Sequence, residues 1–259
     1  MKKVLGILIL ALALTACGGG GSDSSYNGVE GGNNNGGGST VNAEAIGLYT
    51  GNTNQGQSVI GLVDKNNKFW FLYSPPYLNG VTGFITGSLT VSGNTVKATN
   101  GKDFNFGGSS VYSATLNGTI DTKKSLKGII EYTPSNKVSF DTVYDVTMNK
   151  AVANLATIAG TYNGESALVQ GVEGSNLTIS NTGVVSGKGQ SGCAFAGKVT
   201  TENNAPYYNI NLVFGYSPCY MAGQEVKGVA YYDSAEKTLY AVAENSSRQN
   251  AVLFLGSKL

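Results

Sequence analysis

Ile46-Gly47-Leu48-Tyr49-Thr50-Gly51 returns in the second half of the chain as Ala159-Gly160-Thr161-Tyr162-Asn163-Gly164. Each Gly-x-Tyr-x-Gly copy heads a series of short segments in which apolar and polar residues alternate. Alternation at period two marks a strand with one buried and one wet face. Val111–Ile120 displays it: Tyr112, Ala114, Leu116, Gly118 and Ile120 fall on one side, hydroxyls and Asn117 on the other. First-half strands are expected at Val59–Val63, Phe69–Tyr73, Phe84–Val91, Thr95–Thr99, Val111–Ile120, Leu126–Tyr132 and Val138–Val146. Second-half strands are expected at Leu177–Ser180, Val184–Gly187, Cys193–Thr200, Tyr207–Phe214, Glu225–Tyr232, Thr238–Ala243 and Ala251–Leu255. With the openers included, each half holds about eight, enough for an antiparallel meander to close and lose its edges. The expected fold is all-β: two tandem small antiparallel barrels, with two sandwiches or one merged sheet as alternatives. Asn149–Ile158 is the only stretch that reads as a helical turn or two, and it falls where a linker belongs.

The composition agrees. Glycine accounts for 37 of 259 residues, tyrosine for 15 and proline for 5, and only 13% are charged. Such a mixture suits short strands joined by tight turns. A net charge of +1 provides no field to attract nucleic acid, so no nucleic-acid partner is expected. Histidine is absent. Its absence removes the commonest general base and metal ligand, and excludes Ser-His-Asp and Cys-His nucleophile systems within the chain. With so few cysteines the usual zinc sites are excluded as well. No metal and no cofactor is expected.

Two segments are apolar on both faces: Phe69-Trp70-Phe71-Leu72-Tyr73 and Ala251-Val252-Leu253-Phe254-Leu255. A barrel strand needs only one apolar face, so the other is expected to meet a second body. Trp70 and Leu72 are expected to pack on the second half, giving a substantial interface.

At the N-terminus, Lys2 and Lys3 precede the apolar run Val4–Leu14. That run falls well short of the roughly 20 residues needed to span a bilayer, and its flanks are those of a secretory signal. Leu14-Thr15-Ala16-Cys17 resembles the lipobox of bacterial lipoproteins. The resemblance implies cleavage before Cys17, diacylglycerol on its sulfur and a further acyl chain, such as palmitate, on its amino group. More than one chain is what stable anchoring requires. Gly18 stands where that family uses Asp for inner-membrane retention, which implies an outer-membrane address, facing the periplasm or the cell surface. Residues 18–42 are rich in Gly, Asn and Ser. They have almost nothing to bury and read as a flexible tether with an r.m.s. span of roughly 25–30 Å. The expected plan is a signal peptide at 1–16, a lipidated cysteine and linker at 17–45, a β-domain at 46–148, a linker at 149–158 and a second β-domain at 159–259.

With Cys17 acylated, Cys193 and Cys219 remain in an oxidising compartment. Cys193 begins one expected strand and Cys219 follows the next across Ser217-Pro218, so adjacent strand ends bring the thiols together. A structural disulfide is expected. The competing redox role needs a lowered pKa, and no useful Lys or His flanks either residue.

Catalytic signals are sparse. Asp141 and Asp145 share an outward strand face, and Asp233 sits near a strand end, yet nothing marks a facing pair of the kind glycosidases use. Gly183–Gly189 has glycines and Lys188 but lacks the ending and the following helix of a phosphate loop, and reads as a hairpin turn. Tyrosines form the remaining signal: Tyr73 and Tyr77 around Pro75-Pro76, and Tyr207, Tyr216, Tyr220 and Tyr231 near the cysteines. Tyr73, Tyr77, Tyr216 and Tyr220 are the candidate binding surface, since exposed tyrosine offers area and a hydrogen-bonding tip. The competing expectation is that these rings cap or fill the barrels.

The overall plan resembles proteobacterial lipoproteins with a Gly-rich tether and small tandem β-domains. Asp103-Phe104-Asn105-Phe106, Ser191-Gly192-Cys193-Ala194-Phe195-Ala196-Gly197 and the Phe214…Pro218-Cys219 ending carry that likeness. More loosely it is similar to transferrin-binding-type surface lipoproteins, whose Gly-Phe-Tyr-Gly signature is missing here. The anchor, the tether, the β-rich body and the missing catalytic groups point to a membrane-anchored, non-enzymatic envelope protein that binds a protein, glycan or small apolar ligand, in the envelope or outside the cell, through barrel mouths or tyrosine-rich loops. The alternatives are a structural envelope protein without a ligand and a hydrolase using carboxylates alone. Eight-stranded barrels are either filled or hold one ligand, so the interior of each barrel discriminates among these readings.

Overall fold

The computed structural model describes residues 42–77 and 80–259. The leader, Cys17 and the tether as far as residue 41 lie outside the described residues. Nine strands come first: β1 (Gly47–Thr53), β2 (Ser58–Val63), β3 (Lys68–Ser74), β4 (Gly83–Ser88), β5 (Thr90–Ser92), β6 (Thr95–Asn105), β7 (Ser110–Asp121), β8 (Ser125–Thr133) and β9 (Asn136–Tyr144). Two short helical turns follow, α1 (Val146–Lys150) and α2 (Leu155–Ile158). Asp145 caps α1 through the Met148 amide, and Asn154 caps α2 through the Ala156 amide. The second series is β10 (Gly160–Leu168), β11 (Gly171–Ile179), β12 (Val184–Gly189), β13 (Ala194–Thr201), β14 (Tyr208–Phe214), β15 (Glu225–Asp233), β16 (Thr238–Asn245) and β17 (Ala251–Lys258).

Both series close. β4 pairs with β6 as well as β3, and β1 pairs with β9, so β1-β2-β3-β4-β6-β7-β8-β9 form an eight-stranded ring with β5 appended to β6. β10 to β17 form a second closed barrel in sequence order. The protein is all-β and consists of two closed antiparallel barrels, not sandwiches or a merged sheet.

The repeated opener is a lock at the start of each ring. Gly47 and Gly160 hold φ of 144° and 146°, which side chains other than glycine rarely adopt. Tyr49 donates to the Ala45 carbonyl at 2.8 Å, and Tyr162 donates to the Ile158 carbonyl at 2.5 Å, four residues back in both cases. Gly51 and Gly164 then pass so close to β9 and β17 that a Cβ would strike the carbonyls of Asp141 and Leu255.

Three expected strands are revised. Phe84–Val91 is interrupted, because Leu89 turns inward and its amide bonds Asn67 across the sheet. The strand expected at Leu177–Ser180 begins at Gly171, where polar residues hid the pairing with β10. The third revision matters most. Thr95–Thr99 continues to Asn105 through a bulge: Ala98 faces Leu116, and the next pair is Gly101 with Ala114. One extra residue inverts which side chains face inward. Val96 and Ala98 point into the core before the bulge, and Asp103 points inward after it, while Phe104 turns outward.

The outward faces of the barrels form one apolar layer. Trp70 and Leu72 pack there with Leu62, Phe84 and Phe104 against Val229, Val242 and Leu253, the contact expected from the doubly apolar strands. At its margin the buried Glu244 carboxylate receives Lys68 Nζ at 2.6 Å and Arg248 Nε at 2.9 Å. Arg248 also donates to the carbonyls of Thr86 at 2.9 Å and Asn100 at 2.7 Å. Asn100 belongs to the bulge, so a turn of the second barrel clamps the irregularity that sets the direction of Asp103.

Candidate functional site

The two barrels differ inside. At the end of the first where the β2–β3 and β7–β8 turns lie, Tyr49, Val63, Phe69, Val96, Leu116, Ile120 and Leu126 fill the lumen. Toward the other end the fill stops, leaving a cavity of about 600 Å³. Its volume lies within the range of roughly 300–1,000 Å³ usual for small-ligand sites. The floor is Val59, Phe71, Ile85, Ile130 and Phe140, and the rim carries Thr53, Gln55, Gln57, Asn105, Tyr112, Thr133 and Asn136. Rim residues come from the β1–β2, β6–β7 and β8–β9 hairpins, so this mouth is opposite the end at which residues 42–46 enter the barrel.

One carboxylate stands in the wall of this cup. Asp103 is 4% exposed, and its two oxygens accept from Tyr73 Oη at 2.8 Å and Tyr132 Oη at 2.7 Å. Three strands supply the group: Tyr73 near the end of β3, Asp103 beyond the bulge of β6, and Tyr132 beside a register shift in β8. Gly83, paired with Tyr73 across β3–β4, makes room for it, since a Cβ there would collide with the phenol. Tyr112 leans edge-on against Tyr132 at 6.2 Å, and Phe71 against Phe140 at 5.3 Å. Burial pushes the Asp103 carboxyl above the ordinary carboxylate range, an effect the two phenol hydrogen bonds oppose. Burial, and secondarily the nearby Asp103 charge, drive the Tyr73 and Tyr132 phenols far up, so both stay protonated donors. Among the described residues no lysine or arginine lines the cup. A carboxylate-only hydrolase needs a second carboxyl facing the first, and the lining contains Asp103 alone.

The second barrel is packed through. Leu177, Val185, Phe195, Ile210, Phe214 and Phe254 leave about 40 Å³ among them. The end corresponding to the first barrel's mouth is shut by the loop 215–224, which carries the fully buried Met221 into the core. The Cys193–Cys219 disulfide ties that loop to the start of β13, with S–S 2.05 Å. A depression of about 310 Å³ remains outside the plug, bordered by Cys193, Tyr220 and Glu173.

The candidate tyrosines divide accordingly. Tyr73 does not share a surface with Tyr77: alternation along β3 turns it into the cup, while Tyr77 stands 96% exposed on the β3–β4 connection. Tyr216 and Tyr220 are exposed on the disulfide loop at the plugged end of the other barrel. Tyr207 and Tyr231 are not beside the disulfide but belong to the layer between barrels, where the Lys65 amide donates to Tyr207 Oη at 3.0 Å. Asp141 pairs with Lys127 on the surface, Asp145 caps α1, and Asp233 accepts turn amides from Ala235 and Glu236. Gly183 is a hairpin-turn glycine with φ of 78°. Asp103 and Tyr132 were not singled out by sequence reasoning. The available signal was Asp103-Phe104-Asn105-Phe106, whose strict alternation places polar groups on one face and rings on the other. Among the described residues no cluster of His, Cys, Asp and Glu is arranged to hold a metal, and no helix is long and apolar enough to cross a membrane.

No family model matches the chain, and no curated protein matches it. Among solved structures it is similar to the crystal structure of isotype 1 Transferrin binding protein B from serogroup B Neisseria meningitidis, at 8% identity and a TM-score of 0.27, covering 78% of this chain and 59% of that one. It is also similar to a Transferrin Binding Protein B vaccine antigen from Haemophilus parasuis Hp5, at 10% identity and a TM-score of 0.29, covering 83% of this chain and 60% of that one. The chain thus spans about three fifths of those structures. Likenesses this distant assign no residue a role.

Proposed function

We propose that this chain is a non-enzymatic, membrane-tethered envelope protein whose first barrel takes up one small amphipathic ligand, with the second barrel as its solid support. The observation that carries this reading is the 600 Å³ cup in one of two barrels of equal strand number. An apolar floor with a few convergent polar groups is what a small-molecule site requires. The lipobox-like Leu14-Thr15-Ala16-Cys17 supports attachment to the outer membrane through an acylated cysteine, and the glycine-rich stretch after it supports a tether.

Uptake of a neutral polarity-sensitive dye such as Nile red by the purified full chain tests the cup. The expected result is one dye per chain, lost in Val138→Trp, which plugs the mouth. Dye uptake that Val138→Trp leaves unchanged, or no uptake by the unmutated chain, overturns the reading.

A further inference from the structure

We infer that the cup selects an organic cation, with an ammonium group seated against the Asp103 carboxylate and among the rings of Tyr73, Tyr112 and Tyr132. This inference rests on the small-ligand reading of the first barrel and names the ligand's chemistry. A carboxylate withdrawn from water carries a large desolvation cost unless a partner offsets it. Two phenol donors offset part of that cost. Among the described residues no cationic side chain lines the cup to offset the rest, and a ligand cation fills that role.

The surrounding surface has the matching chemistry. Tyr73, Tyr112 and Tyr132 with Phe71 and Phe140 turn the inner wall largely aromatic. Aromatic faces attract ammonium groups, and more strongly where water is excluded. The Tyr73 and Tyr132 phenols already donate to Asp103, so their oxygens remain free to accept from an ammonium N–H. An anionic ligand would meet an uncompensated carboxylate, and a purely apolar one would strand it without water. The mouth end adds neutral amides and hydroxyls from Gln55, Gln57 and Asn136, which suit a polar tail and not a second charge.

Protonation of Asp103 competes with cation binding. Facing Asp103 are Tyr73 from β3, Tyr112 from β7 and Tyr132 from β8, and among the described residues no other titratable group lines the cup. Because burial raises the Asp103 carboxyl, cation affinity falls as pH drops through that raised value, at a less acidic pH than for an exposed aspartate.

Calorimetric titration of the full chain with choline and its uncharged isostere 3,3-dimethylbutan-1-ol, and with benzylammonium and benzyl alcohol, is the test. The expected result near neutral pH is at least tenfold tighter binding of each cation than of its alcohol. Asp103→Asn should abolish that preference, bringing each cation to within about twofold of its alcohol. Should the variant fail to fold, the unmutated chain still decides: cation affinity must fall on acidification while alcohol affinity stays flat. Equal binding of cation and alcohol, or no cation binding by a chain that takes up the dye, overturns the inference and leaves the small-ligand cup standing. Absence of both dye uptake and cation binding overturns both.

Discussion

The first barrel and the second share strand number, strand order and the tyrosine lock that opens each ring, yet one is a cup and the other a plugged cylinder. Backbone closure does not decide the interior. Side-chain volume and the connections at one end do. In the second barrel Phe195, Phe214 and Phe254 all line the lumen, and the long loop 215–224 folds Met221 into the end. In the first barrel the corresponding β6–β7 connection is only residues 106–109, and Phe106 joins the layer between barrels instead of the lumen. The first barrel has rings of its own, Phe71 and Phe140 among them, but they line the space and do not close it. An eight-stranded barrel can go either way, and a few residues at one end make the choice.

The sharpest way to break that contrast is a pair of truncations. Phe254→Ala in the packed barrel is expected to cost about 3–5 kcal/mol, because it opens an enclosed void. Phe140→Ala, equally buried at 5% exposure, is expected to cost about 2–3 kcal/mol, because it enlarges a space already open to solvent. Denaturant titration of the two variants measures both, and equal losses would mean that the cup is not hollow in solution.

Removing the disulfide probes the plug. Cys193→Ser with Cys219→Ser opens a link of sequence separation 26, and a loss of about 3–4 kcal/mol is expected from the chain-entropy model. The loss should be confined to the second barrel, with the dye still entering the first. Loss of dye uptake along with stability would show that the two interiors are not independent.

The smallest expected effect has the opposite sign. Burial raises the Asp103 carboxyl above its value in the unfolded chain, so the folded state holds that proton more tightly. Ionised Asp103 therefore costs stability at neutral pH, and the cost disappears as pH falls through its folded pKa toward the unfolded value. Asp103→Asn should raise Tm by a few degrees near pH 7, with the gap to the unmutated chain closing on acidification. A gap that is independent of pH would place the benefit elsewhere than the charge. Tolerance of a destabilising group at the centre of a cavity is what a binding site exhibits.

Much of this plan was legible. Period-two alternation located the strands, the doubly apolar Phe69–Tyr73 and Ala251–Leu255 announced the layer between barrels, and the position of Cys193 and Cys219 at neighbouring strand ends anticipated their bond. The cup was not legible, for a specific reason. Inward and outward assignment propagates along a strand only while register is kept, and the bulge between Ala98 and Gly101 resets it with no proline or paired glycines to announce the change. Counted without it, Asp103 falls on the outside and Phe104 within. Tyr73 was singled out as a surface contact because its neighbours Pro75-Pro76 and Tyr77 are loop residues. The last pairs of β3 carry it inside instead.

The Arg248 clamp has a consequence for how the molecule can be taken apart. The turn bearing Arg248 belongs to the last hairpin of the chain, and its guanidinium holds Thr86 and Asn100 on the far side of the boundary between barrels. A chain cut between the rings would free a first barrel with Leu62, Trp70, Leu72 and Phe84 turned to water and its bulge unheld. Two copies of one architecture have lost their interchangeability: one has become the receptacle, and the other the vice on the bulge that turns Asp103 into it.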